Sequence, residues 1–248
     1  MPVDYARGLT ATARTGRENA HLGVGLAFVA GATNAGAFLA VRQYTSHMTG
    51  IVSSMADAVI LRDQTVFYTG VGALVAFIAG AATTAIVVNA ARRRGLSSAY
   101  ALPLLLEATL LLVFGLVGGR LNQVHTVFVS ATVGLLCFIM GLQNAVITKI
   151  SGAVIRTTHV TGIVTDLGIE LGKLLYVNRP GASGDERVVA DRGRMWLLLQ
   201  LLAGFFVGGV LGAAGFQALG YIATVPLALL LVGLAAVPVV DDLRRAIR

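Results

Sequence analysis

Six runs of about 20 mainly apolar residues dominate this 248-residue chain, at 22–40, 66–91, 99–118, 127–148, 195–215 and 218–240. A helix needs about 20 such residues to cross a bilayer core. Only 12% of the residues are charged and the mean hydropathy is +0.80, against roughly 25% charged in soluble domains. A soluble domain must cover its surface with polar atoms, and a disordered chain cannot be this apolar. The sequence therefore specifies an all-α integral membrane protein. Two shorter apolar runs, 50–61 and 162–176, have the length of re-entrant or interfacial segments rather than crossings.

Basic residues orient the spans, because loops rich in Lys and Arg stay in the cytoplasm. With six crossings and both termini inside, 16 of the 19 Lys and Arg residues fall inside, leaving Arg42, Arg62 and Arg120 outside. If both short runs crossed, the Arg92–Arg94 triplet would move outside. Trp196 at the start of a span suits the aromatic belt. The net charge of +7 is thus a topology signal, and no nucleic-acid partner is expected. The single cysteine, Cys137, lies in an apolar run and reads as a small buried hydrophobe. The polar stretch before the first run resembles a signal peptide. That run carries half of an internal repeat, which argues for a retained span.

Residues 46–53 read S-H-M-T-G-I-V-S and residues 158–165 read T-H-V-T-G-I-V-T. Upstream, Gly31-Ala-Thr-Asn34-Ala35 matches Gly141-Leu-Gln-Asn144-Ala145 as G-x-x-N-A. Downstream, Tyr100 and Pro103 correspond to Tyr221 and Pro226. Each half is then a span, a short segment opened by the motif, and two more spans. Three crossings per half put the halves in opposite orientations, so the expected fold is six transmembrane helices plus two short half helices in a 3+3 inverted repeat. Its parts are a cytoplasmic tail 1–21, a first repeat 22–118, an outside loop 119–126, a second repeat 127–240 with a cytoplasmic linker 177–194, and a tail 241–248. Inverted repeats place sites at their interface near the membrane midplane.

The first span through S-H-M-T-G, together with M-G-L-Q-N-A at 140–145 and R-T-T-H-V-T-G-I-V-T-D-L-G at 156–168, resembles the YoaK-type family of bacterial multi-pass membrane proteins, a domain of unknown function. The resemblance runs from the first span through the sixth. It implies a bacterial inner-membrane protein and carries over no catalytic residue. The chain departs from the family pattern at Asn34, where an acidic residue is usual, and at Ile51, where Asn is usual.

The two motifs would start half helices near the membrane centre from opposite faces. Thr49 and Thr161, or Ser46 and Thr158, suit the N-cap role. Helix N-termini favour an anion or a polar carbonyl solute, and Gly50 and Gly162 permit close backbone approach. His47 and His159 could serve as caps bonded to loop carbonyls, as ligand or proton carriers, or as metal ligands, for which two His without Cys or paired carboxylates form a poor set. No metal and no cofactor is expected. Glu107 lies mid-span, where a charge is expensive, and reads as protonated, paired or proton-carrying. Asp166, Glu170 and Lys173 share one helix face that the first copy lacks, which suits either a solvated stripe or a cavity position for Asp166. Arg156 would hold an anion or anchor to headgroups. Asn34, Gln143 and Asn144 would bond helices together or line a polar path. Gly204, Gly208 and Gly212 form a stripe for close helix packing, within the chain or between copies in a homo-oligomer.

These residues point to a transporter or channel for a small solute, with an anionic one suiting the helix-terminus chemistry and the bilayer as its other partner. A non-catalytic scaffold or regulator stays open. A membrane-embedded enzyme is less favoured, because no recognised catalytic signature occurs in its required context.

Overall fold

The computed structural model describes residues 16–120, 127–152, 155, 157–179 and 187–247. Arg156, the anion-site candidate, lies outside these residues. The described chain is almost entirely helical, without a strand. In order, the helices are α1 (Gly16–Val41), α2 (Met48–Leu61), α3 (Gln64–Arg93), α4 (Ala101–Arg120), α5 (Val127–Ser151), α6 (Val160–Leu175), α7 (Arg192–Leu219) and α8 (Thr224–Ala246), with a 3-10 turn at Gly220–Ala223 before α8. Five apolar helical stretches are long enough to cross a membrane, and the last of them, Arg192–Arg245, comprises both α7 and α8. The two short runs form α2 and α6, of 14 and 16 residues. The observed fold is thus a multi-helix apolar bundle.

Helix ends follow local chemistry. Arg62 takes a left-handed conformation (φ 56°) at the end of α2, and the Asp63 carboxylate accepts the Val66 N–H at 3.0 Å to start α3. Asp191 likewise accepts the Arg194 N–H at 2.9 Å and opens α7. These caps satisfy helix donors that otherwise lack partners. α1 ends at Arg42 (φ 57°) and α5 at Gly152 (φ 61°), both left-handed.

Among the stretches long enough to cross a membrane, α1 and α5 are the most buried and α3 the least. α1 packs chiefly on α7, α5 on α3, and α4 on α8. The first two pairs meet through glycine. A Cβ on Gly31 would fall on the Phe205 carbonyl and one on Gly208 on the Phe28 carbonyl. A Cβ on Gly141 would fall on the Phe77 carbonyl and one on Gly80 on the Phe138 carbonyl. Each pair therefore holds two reciprocal glycine-to-carbonyl contacts, close enough for the Cα–H···O attraction found at helix interfaces. All four sites read F-x-x-G: Phe28/Gly31, Phe77/Gly80, Phe138/Gly141 and Phe205/Gly208. The Gly204, Gly208 and Gly212 stripe faces Val24, Phe28 and Ala32 of α1. Of the two uses expected for the stripe, packing within the chain is the one seen: α1 lies against it.

Polar bonds gather several helix ends at one end of the bundle. Ser97 and Ser98, between α3 and α4, hold Asp242 near the end of α8. Lys149 of α5 reaches Asn89 of α3 at 3.3 Å. Burial pushes the Asp242 carboxyl up, while hydrogen bonds from the Ser97 and Ser98 hydroxyls and N–H groups pull it further down, leaving it below its ordinary value.

Candidate functional site

Asn34 sits seven residues before the end of α1, about 10 Å along the axis. The chain passes Val41, turns at Arg42 and runs back until the Ser46 N–H donates to Asn34 Oδ1 at 3.3 Å. Asn144 sits seven residues before the end of α5, and there the Thr158 hydroxyl donates to Asn144 Oδ1 at 2.7 Å. The Asn144 amide in turn donates to the Met140 carbonyl at 2.8 Å. The two motifs of each copy are therefore joined by the Asn side chain, which returns the chain to mid-helix before α2 or α6 begins.

The cap position of both short helices is the histidine. His47 (φ −91°, ψ 68°) and His159 (φ −85°, ψ 58°) precede α2 and α6 and make no side-chain cap bond. This replaces the expected Thr49/Thr161 or Ser46/Thr158 caps: Asn144 takes the Thr158 hydroxyl, and Asn34 holds the backbone N–H of Ser46. The glycine three residues on has a specific purpose. A Cβ at Gly50 would strike the His47 imidazole, and one at Gly162 the His159 imidazole. Glycine lets each ring fold against the first turn of its helix. Burial follows the same pattern in both copies: Thr45, Ile51, Thr157 and Ile163 are buried, whereas His47, Thr49, His159 and Thr161 are exposed.

The two copies meet at one cavity of ≈ 850 Å³. Eight of the sequence-derived candidates line it: Asn34, Ser46, His47, Thr49, Asn144, Thr158, His159 and Thr161. Phe77, Phe205 and Tyr44 contribute as well. Its volume lies within the range of small-molecule sites, and among the described residues its lining carries amides, hydroxyls and imidazoles with no carboxylate, lysine or arginine. Both short helices begin at this cavity without a side-chain cap, so their positive dipole ends add a weak preference for negative charge. Among the described residues no group of three or more His, Cys, Asp or Glu is placed to hold a metal.

The other candidates lie elsewhere. Gly50 lines a second, neighbouring cavity with His47, and Gly162 backs the His159 ring. Glu107 is fully buried in α4 with both carboxylate oxygens unpartnered among the described residues, and does not line the central cavity. Gln143 is buried too and donates to the Leu26 carbonyl at 3.2 Å, binding α5 to α1. Asp166 is tied to Arg194 at 2.8 Å. Glu170 accepts from Lys173 and from the Asp191 N–H, both at 2.8 Å. The acidic stripe thus fastens the second short helix to the start of α7.

Phe77, Phe205 and Tyr44 were not foreseen as lining residues. The F-x-x-G repetition was the available signal for the two phenylalanines. Thr45 and Thr157 also stand out, each fully buried with a hydroxyl that has no partner among the described residues. The repeat identity extends upstream to this pair.

Among known families, the one described as "Protein of unknown function (DUF1275)" matches residues 22–237. No curated protein and no solved structure matches the chain.

Proposed function

The chain belongs to the DUF1275 family, and from that premise we propose that it is a small-solute transporter or channel, with its site in the central cavity between two inverted three-span repeats. The observation that carries this reading is the convergence of both motif copies, with both histidines and both asparagines, on one cavity of ≈ 850 Å³. A scaffold has no need to place the same polar set twice around a shared space. The reciprocal α1/α7 and α3/α5 contacts support the repeat, since each joins the first helix of one half to the second long helix of the other. α7 and α8 then count as two crossings, and α2 and α6 as half helices starting at mid-depth. Both termini are cytoplasmic, in a bacterial inner membrane. The solute is small and polar, and an anionic group suits the helix N-termini.

Accessibility tests this in a Cys137→Ala background. Thr49→Cys and Thr161→Cys should each react with membrane-impermeant thiol reagents, and Ser53→Cys and Thr165→Cys should react from opposite faces. Failure of both cavity sites to react would mean a dry interior and overturn the transport reading. Labelling of Ser53→Cys and Thr165→Cys from one face would overturn the inverted repeat.

A further inference from the structure

A second cavity of ≈ 410 Å³ lies between the chain after α1, the α2 face carrying His47, Gly50 and Ser54, and the α3 start carrying Thr65 and Thr69. Arg42 and Gln43 complete its polar wall. Among the described residues Arg42 brings a guanidinium that forms no ion pair, and no carboxylate lines the space. The neighbouring Asp63 carboxylate is held by the Val66 N–H at 3.0 Å. The wall therefore offers donors: a guanidinium fork, an amide, an imidazole and four hydroxyls, from Tyr44, Ser54, Thr65 and Thr69. His47 and Tyr44 line this cavity and the central one alike, so the two spaces adjoin across those side chains. The second copy has Gly152 where the first has Arg42, in the same left-handed conformation. The charge thus belongs to one copy only, at a position where glycine would be unstrained.

We propose that this groove is an oxyanion-capture site, taking a carboxylate or phosphate group on Arg42 and the surrounding donors, and that it delivers the anion past Tyr44 and His47 to the central cavity. The delivery step rests on the transport reading above; the binding step does not. A planar guanidinium pairs such groups through two parallel N–H bonds. A guanidinium in a groove with no carboxylate among its described lining residues is a local attractor for anions. Two sources present this chemistry, a soluble anion and an anionic lipid headgroup.

The test uses the full chain in a phosphate-free maltoside detergent, titrated with inorganic phosphate, with acetate, and with a short-chain phosphatidylglycerol. Binding is followed by calorimetry and by the thermal midpoint. Saturable binding of a soluble anion is expected, weakened about tenfold or more in Arg42→Gln and less in Arg42→Lys, which keeps charge but loses the fork. Arg42→Gly relieves the left-handed backbone, so it should fold at least as well and still lose binding. Arg62→Gln, outside the groove, should bind as wild type. No saturable binding of any probe, or unchanged binding in Arg42→Gln and Arg42→Gly, overturns the site. Binding of the short-chain lipid alone overturns delivery of a soluble anion while keeping the oxyanion chemistry. Loss of Thr49→Cys and Thr161→Cys labelling with phosphate binding intact would sink the transport reading and leave the groove standing.

Discussion

Gly31→Ala should destabilise the bundle although alanine is the better helix former. In a free helix the change gains about 1 kcal/mol. Here the new methyl falls on the Phe205 carbonyl, and the next nearest atoms are also α7 backbone: Gly209 N and the Phe205 carbonyl carbon, each at 2.9 Å. Rigid backbone cannot rotate aside as a side chain can. Ordinary contact requires α1 and α7 to part by on the order of 1 Å. Overpacking of this kind costs about 1–3 kcal/mol, and the attractive Cα–H···O contacts are lost with it. A net loss of about 1–2 kcal/mol follows from these terms. Gly134→Ala, where nothing lies within 4 Å, should instead be neutral or stabilising. The reciprocal geometry sharpens the test. Gly208→Ala presses on the same helix pair, so once Gly31→Ala has parted the helices the second change should cost much less. Gly31→Ala with Gly141→Ala strains two different pairs and should be nearly additive. Equilibrium unfolding in bicelles, run as two double-mutant cycles, measures both. Additivity in the Gly31/Gly208 cycle, or stabilisation by Gly31→Ala alone, would refute the glycine-to-carbonyl account.

Three further outcomes are expected. Thr158→Val should cost about 1–3 kcal/mol by leaving Asn144 Oδ1 without its donor, while Thr158→Ser should behave nearly as wild type in the same unfolding assay; equal losses would show the hydroxyl is unimportant. Asp166→Asn should change stability by under about 1 kcal/mol, as for other exposed ion pairs, and a larger loss would give Asp166 a role beyond the Arg194 pair. Hydrogen bonds from Lys173 and from the Asp191 N–H hold the Glu170 carboxyl below its ordinary value. Its stabilising contribution is therefore complete above the ordinary carboxylate value and disappears as pH falls through the lowered one. The difference in unfolding midpoint between wild type and Glu170→Gln should shrink to nothing in that acid range, and a difference independent of pH would refute the assignment.

Much of the site was legible as sequence. The paired G-x-x-N-A and S/T-H-x-T-G motifs marked eight cavity-lining residues because repetition in a diverged chain exposes positions held by shared geometry. Local chemistry was less legible. Serine and threonine are the usual caps, yet Asn144 draws the Thr158 hydroxyl away, Asn34 holds the Ser46 backbone N–H, and histidine stands at the cap in both copies. That competition comes from a helix twelve or fourteen residues upstream, which no capping rule contains. Asp166 appeared close to the motif in sequence, but Arg194, 28 residues on, holds it.

By itself the sequence determined the solvent of this protein, its helices and their approximate lengths, since hydropathy and span length are properties of single segments. It also carried the G-x-x-N-A and S/T-H-x-T-G motifs twice. Only the tertiary structure decided which helices cross. In a bundle bathed in apolar surroundings nearly every face can be apolar, so hydrophobic pattern does not select partners. Close backbone approach does, and the four F-x-x-G sites show their meaning only once Gly31 is seen against Phe205 and Gly141 against Phe77. Those crossings bring Phe77 and Phe205 beside the two histidines and turn two separate motifs into one cavity.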